Sequence, residues 1–330
     1  MRKIAIIKLS SLGDIIHATI VLQFIKKQNP DIKIDWFVDS SFAEIIKDHP
    51  LINNVISLPL RKAKKDKTLF IKSYKIIKQY KNKYDFIIDM QGLLKSAIVA
   101  RILGKNIGGF AKDSIREKIA SIFYKKVSHI SYTENTIWRY AKLISDLLEI
   151  KIDKHDLINK QPIIPYQTKS LEKIREFLNK KPVIIFIIGA SWPNKMYPSE
   201  KFIELANKLE TNILIPYGNN AEKNIAEKIA KKSLHATVVP KLNLSELTAF
   251  ISQADLVIGG DTGPTYIAWA NNIPTIFLFG PTPTERLLAS EKHIAIKSPS
   301  KINPYKLRRD DFSIKEITVD EVLSAAKKIL

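Results

Sequence analysis

KIAIIKLSSLGDIIHATIVLQFIKKQNPDIKIDWFV, residues 3–38, carries the pattern on which the fold turns. Lys3 to Lys8 is a short run rich in β-branched residues, so it reads as a strand. A turn with Ser10, Ser11 and Gly13 follows, then a helix from about Asp14 to Lys27 and a second strand at Ile34–Val38. Such a strand–turn–helix–strand unit is the building block of a parallel sheet covered by helices.

The same alternation continues outward. Ile45–Asp48 belongs to a helix, Asn54–Leu58 to a third strand, Thr68–Tyr80 to a lysine-laden helix, Phe86–Asp89 to a strand and Leu93–Leu103 to a helix. Asp153–Gln167 is polar, carries Pro162 and Pro165, and reads as a linker in which Ile163 and Ile164 form an edge strand. After a helix at Leu171–Asn179 a second cycle begins. Strands are predicted at Pro182–Ile188, Asn212–Pro216, near Thr237, at Leu256–Ile258 and at Thr275–Phe279. Helices are predicted at Ser199–Leu209, Ala221–Lys232, Ser245–Ser252, Thr265–Ala270 and Val319–Ile329. The expected fold is α/β with two Rossmann-like domains facing a central cleft: residues 1–165, residues 166–315, and a C-terminal helix at 316–330 that packs back on the N-terminal domain.

With 330 residues, 45% hydrophobic and 26% charged, the chain has an ordinary globular composition and room for two cores. It has no cysteine, so thiolate chemistry and disulfides are excluded. The basic, apolar start is broken by Lys8, Ser10 and Ser11 and lacks a small-residue cleavage site, which favours the first strand of a mature cytoplasmic protein over a signal peptide. The net charge of +20 favours polyanionic partners without choosing among nucleic acid, phosphorylated sugars and anionic lipid.

Ligands of open parallel sheets bind beyond the carboxyl ends of the strands, so the turns there are the candidate sites. In Ser10-Ser11-Leu12-Gly13-Asp14, Asp14 reads either as a first-turn acid stabilising its helix or as a general base, with His17 one turn later. Gly189-Ala190-Ser191-Trp192-Pro193-Asn194-Lys195 is a polar loop after an apolar strand, and Lys195 either neutralises a leaving diphosphate or is one more solvated lysine. Ile258-Gly259-Gly260-Asp261-Thr262-Gly263-Pro264-Thr265 leads from a strand into a helix N-terminus, where free N–H groups can hold phosphate, although Pro264 supplies none. Gly280-Pro281-Thr282 is expected to border the same pocket. No His-x-x-x-His or Glu-x-x-His set is legible, so no metal and no cofactor are expected.

Together these blocks resemble glycosyltransferase family nine, the lipopolysaccharide heptosyltransferases. The resemblance rests on IAIIKLSSLGDIIHA, IDWFVDSSFAEII, YDFIIDMQGLLKSA, LIPYGNNAE, ADLVIGGDTGPTYIAWA and IFLFGPTPTER, in order along nearly the whole chain. The second and third blocks are closer to the enzymes that add the first heptose than to those that add the second. The resemblance implies a GT-B fold and an inverting, metal-independent transfer from ADP-heptose to Kdo-lipid A at the inner face of the cytoplasmic membrane. It implies a catalytic base at Asp14 and a diphosphate-binding Lys195. It also implies donor contacts from Ser191, Glu222, Asp261, Thr262, Gly263 and Thr265, and acceptor contacts from Ser11, Gly13, Arg61, Lys62, Lys64 and Arg116. Ala190-Ser191 stand where two threonines are common, Tyr266 where a histidine is common, and Pro264 in place of leucine. Two other readings compete: a related family-nine transferase with a different donor or acceptor, and a non-catalytic nucleic-acid binder. The second lacks any nucleic-acid motif, so no nucleic-acid partner is expected. The enzyme is expected to be a monomer.

Overall fold

In the computed structural model, which describes residues 2–330 except for the Lys64 side chain, the opening run is a central strand. β1 (Lys3–Ile7) lies inside a six-stranded parallel sheet, and Ile4–Ile7 are completely shielded from solvent. A strand covered on both faces has no wet side, so KIAII is apolar throughout its core positions. The chain divides into two units, Met1–Pro165 and Tyr166–Leu330.

The first unit contains β1, α1 (Leu12–Thr19), α2 (Val21–Gln28), β2 (Lys33–Asp39), β3 (Asn54–Leu58), α3 (Thr68–Lys78), β4 (Phe86–Asp89), α4 (Leu94–Leu103), β5 (Ile107–Phe110), β6 (Lys126–Ser128), α5 (Thr136–Leu148) and α6 (Lys154–Ile158). The second contains β7 (Val183–Ile187), α7 (Ser199–Leu209), β8 (Asn212–Ile215), α8 (Asn220–Lys232), β9 (Ala236–Val238), α9 (Leu244–Ile251), β10 (Leu256–Gly260), α10 (Gly263–Ala270), β11 (Thr275–Phe279), β12 (His293–Lys297) and α11 (Val319–Ile329).

The sheet orders are β3-β2-β1-β4-β5-β6 and β12-β11-β10-β7-β8-β9. Counted from each unit's own first strand, both follow the doubly wound order, and the direction of winding reverses between β1 and β4 and between β7 and β10. Ile6 stands opposite Trp36 on one side and Ile88 on the other; Ile258 stands opposite Phe186. Each unit therefore offers one crevice, at the carboxyl ends of its two innermost strands.

Several expectations are corrected. The first helix begins at Leu12, because Ser11 is its N-cap, and it divides at Ile20 into α1 and α2. The Ile45–Asp48 helix is a single 3-10 turn at Ala43–Ile46, and the Leu171–Asn179 helix is wound as 3-10 turns over Thr168–Leu178. Ile163 and Ile164 are buried but form no strand. The C-terminal helix, expected on the N-terminal domain, belongs to the second unit. Its Val322 and Ala326 are fully buried and share a core with Leu205, Ile276 and Leu278. The apolar stripe of α11 is thus satisfied by the sheet it follows.

Candidate active site

In the first unit, the turn after β1 leads directly into α1. Ser11 caps the helix and Asp14 closes a capping box: the Ser11 N–H and Oγ–H both donate to Asp14 Oδ2, at 3.1 and 2.7 Å. Asp14 is only half-buried. The turn is held from the neighbouring strand, since Gln91 Oε1 accepts hydrogen bonds from the Leu9 and Ser10 N–H groups at 3.1 Å each.

Gln91 is itself positioned by Asp89 at the end of β4. Asp89 is wholly buried and accepts from the N–H groups of Gln91 and Gly92, from Ser96 Oγ at 2.8 Å and from the Tyr124 hydroxyl at 2.7 Å. Burial raises its pKa, and those hydrogen bonds work in the opposite direction without cancelling it. Beneath the turn, Lys8 is 3% exposed, with its Nζ 4.9 Å from the centre of the Tyr140 ring. Burial raises the Tyr140 pKa, and the hydroxyl feels both the Lys8 cation and the Asp14 carboxylate. His17 is fully buried in the helix's core face.

The residues expected on the acceptor side flank this turn. Arg61 and Lys62 follow β3, two strands from β1 on one side, and Arg116 follows β5, two strands away on the other. At roughly 4.8 Å per strand, the carboxyl ends of β3 and β5 lie about 10 Å to either side of that of β1. All three side chains are exposed. The Arg61 N–H donates to Asp39 Oδ2 at 2.7 Å and its guanidinium stacks over Phe42. The Lys64 side chain lies outside the described residues.

In the second unit, the turns after β7 and β10 meet at the reversal point. The Lys195 ammonium donates to Asp261 Oδ2 at 2.6 Å and to the Asp261 carbonyl at 3.0 Å. Arg286 Nε and the Tyr266 hydroxyl both donate to Asp261 Oδ1, at 3.0 and 2.8 Å. Asp261 is 4% exposed. Burial would raise its pKa, but the charges of Arg286 and Lys195 and the hydrogen bonds from Lys195 and Tyr266 hold it far below the usual carboxylate range. The cluster carries two cations and one anion, a surplus of positive charge beside the first turn of α10. The loop can close this tightly because of Gly260, where a Cβ would lie 2.8 Å from the Lys195 carbonyl oxygen.

A cavity of about 330 Å³ opens beside this cluster. Ser191, Glu222 and Thr262 give it polar walls; Ile187, Leu242 and Leu247 give it apolar ones. Asn219 caps α8 by accepting from the Glu222 N–H, and Glu222 Oε2 accepts from the Gly218 N–H at 2.7 Å. Glu222 crosses close to Gly189, where a Cβ would sit 2.4 Å from its carboxyl carbon. Thr262 is the N-cap of α10 and makes no side-chain capping bond, so the Gly263 and Thr265 amides of that turn can serve an anion, Pro264 having none. An apolar slot with a few converging polar groups and adjacent cations suits a nucleotide diphosphate.

The model of glycosyltransferase family 9 (heptosyltransferase) matches residues 73–313. The chain belongs to that family. A lipopolysaccharide heptosyltransferase 1 from Campylobacter coli is 38% identical over 99% of this chain and 98% of its own length. Its counterpart from Pseudomonas aeruginosa is 31% identical over 85% of this chain and 79% of its own. Among solved structures, E. coli heptosyltransferase WaaC with ADP-2-deoxy-2-fluoro heptose superposes with a TM-score of 0.79 at 23% identity, covering 99% of this chain and all of that one. The fold of this family 9 transferase is therefore GT-B, as the resemblance implied.

Within this glycosyltransferase, Ser191, Glu222 and Thr262 share one cavity, and Lys195 and Asp261 form one ion pair beside it. Thr265 does not reach that space: its side chain is fully buried against β10, and only its backbone N–H stands in the first turn of α10. The Gly280-Pro281-Thr282 segment does not line the cavity either; Thr282 is 3% exposed, and the loop reaches Asp261 through Arg286 instead. Arg286 closes the quoted block IFLFGPTPTER but was given no role of its own there. Gln91 and Asp89 stood inside a quoted block without a role, and only tertiary structure gives them one.

Proposed function

We propose that this chain transfers L-glycero-D-manno-heptose from ADP-heptose to the Kdo residue of Kdo-lipid A, with inversion at the anomeric carbon and without a metal. The carrying observation is the second-unit cavity, with Glu222 in its wall and the Lys195–Asp261–Arg286 cluster beside it. Glu222 accepts hydroxyls of the ribose, the α10 amides and the two cations receive the diphosphate, and Asp261 keeps both cations in place. Ser191 and Gly263 make further phosphate contacts.

Asp14 acts as the base. The acceptor hydroxyl oxygen attacks the anomeric carbon, its proton passes to the Asp14 carboxylate, and the bond to the diphosphate breaks with its electron pair leaving on ADP. Negative charge developing on the departing diphosphate oxygen is met by Lys195, Arg286 and the helix N-terminus, which need no reorganisation at the moment of reaction. Ser11 and Gly13 shape the turn at the attacking hydroxyl, and Arg61, Lys62, Lys64 and Arg116 pair with Kdo carboxylates and lipid A phosphates. The enzyme works as a monomer at the inner face of the cytoplasmic membrane. The WaaC complex with a fluorinated ADP-heptose analogue and the name shared by the Campylobacter and Pseudomonas relatives support this donor and pathway.

Calorimetric titration with ADP, UDP and GDP tests the donor. Selective ADP binding is expected. Preference for UDP or GDP would overturn the donor while leaving the fold intact.

A further inference from the structure

We infer that one face of the first unit, formed by α3, α4 and the 3-10 turns at Lys118–Phe123, is a docking surface for an anionic lipid bilayer. The inference rests on the reading above, in which the acceptor is a lipid.

The doubly wound topology puts these three elements in one layer. α3 packs against α4, and α4 packs against residues 118–123, whereas α1, α2 and α5 pack together separately. Of the thirteen exposed large apolar side chains among the described residues, seven belong to that first layer: Phe70, Ile71, Tyr74, Leu94, Ile98, Ile119 and Ile122. Ile122 is 71% and Ile71 61% exposed. Single exposed apolar residues need no explanation, but a concentration on packed neighbours marks an interaction surface.

The charge around these side chains selects the partner. Residues 61–126 contain 18 lysines and arginines against 5 aspartates and glutamates, a surplus of 13 out of the whole chain's +20. Lys67, Lys72, Lys75 and Lys78 alternate with Phe70, Ile71 and Tyr74 along α3, and Lys95 and Arg101 flank Ile98 on α4; all six cations are exposed. Apolar side chains set among exposed cations match a bilayer surface, where the first enter the headgroup region and the second meet anionic lipid. A protein partner of ordinary composition would leave most of that charge unpaired.

The position on the fold agrees. In a parallel sheet each connecting helix starts at the carboxyl edge, so Phe70 and Ile71, in the first turn of α3, and Leu94, at the start of α4, lie towards the edge that bears Asp14. A bilayer meeting this face would present its lipid headgroups to that edge.

The test uses the full chain and vesicles that contain no lipid A. One set is phosphatidylglycerol with phosphatidylethanolamine; the other is phosphatidylcholine. Wild-type protein is expected to co-sediment with the first and not the second, and to be released by salt. A Phe70→Ser/Ile98→Ser/Ile122→Ser variant, altered only at exposed positions, should lose at least about tenfold in partitioning. A Lys72→Glu/Lys75→Glu variant should lose a similar factor at low salt. Both should keep wild-type thermal unfolding and wild-type transfer to a deacylated, water-soluble acceptor. Equal binding to both vesicle types would overturn the inference, as would undiminished binding by the serine variant. So would a wild-type dimer, seen by sedimentation velocity, that the serine variant converts to monomer. Vesicle binding by a protein that transfers no heptose would sink the proposed function and leave this surface standing.

Discussion

The Lys195 ammonium and the Asp261 carboxylate stand 2.6 Å apart, with side-chain exposures of only 12% and 2%. Arg286 reaches the other oxygen of the same carboxylate. Desolvated charges of this kind cost much less when paired than when one partner is missing. Asp261 is thus the buried anchor that holds two half-buried cations beside the first turn of α10.

Replacing Asp261 with asparagine leaves both cations without their counter-charge. We expect a loss of about 3–5 kcal/mol in the stability of the second unit, read as a lower midpoint in thermal or urea unfolding. The pH dependence has a definite sign. The folded pKa is depressed, so the stability that Asp261 supplies is fully present above its ordinary value of 3.8 and is lost only as pH falls below it. The difference between wild type and Asp261→Asn should therefore stay constant from pH 8 to about pH 5. A difference that shrinks within that range would contradict the assignment.

Tyr266→Phe removes one hydroxyl that donates to Asp261 and changes nothing else in shape. The hydrogen bond is buried and goes to a charged acceptor, so a loss of about 1.5–3 kcal/mol is expected. Equilibrium unfolding should detect it, and the double variant with Asp261→Asn should lose less than the sum of the two. Full additivity would mean that the hydroxyl acts elsewhere.

Gly189→Ala tests the cavity wall. The added methyl would collide with the Glu222 carboxylate and must push it aside. We expect ADP affinity to fall at least about tenfold, since a displaced carboxylate strands the hydroxyls it should accept from, while the unfolding midpoint moves little. Unchanged ADP affinity would show that Glu222 does not touch the nucleotide.

Gln91→Ala removes the acceptor that holds the Leu9 and Ser10 amides, one turn before Asp14. Small misplacements of a reacting group cost on the order of 100-fold in rate. Turnover should drop by about that factor with ADP affinity unchanged. A variant with normal turnover would reduce Gln91 to a structural tie.

Much of this architecture is legible in the sequence because it is local. The apolar runs Ile4–Ile7 and Val183–Ile187 are strands buried on both faces, and a serine or asparagine cap followed by an acid marks the starts of α1 and α8. β5 was not legible: Ile-Gly-Gly-Phe reads as a turn, and its glycines are explained only by what crosses them. A Cβ on Gly108 would lie 2.6 Å from the Phe86 ring, and one on Gly109 would lie 2.4 Å from Tyr124. α5 was missed although Ile137, Ala141, Ile144 and Leu148 are buried at helical spacing. The candidate site divides in the same way. Asp14, Glu222 and Asp261 sit at strand–helix turns whose positions local pattern reveals. Arg286 and Gln91 earn their roles from contacts 25 and about 80 residues distant, which no local pattern encodes.

The most direct test of the account is heptosyl transfer by Asp14→Asn. The amide keeps an oxygen that can accept from Ser11 but cannot take a proton from the acceptor. Transfer from ADP-heptose to Kdo-lipid A, followed by mass spectrometry of the lipid product, should fall by about 100- to 10,000-fold, with ADP affinity by calorimetry equal to wild type. Turnover close to wild type, with ADP bound as before, would contradict the account by removing Asp14 from the role of base.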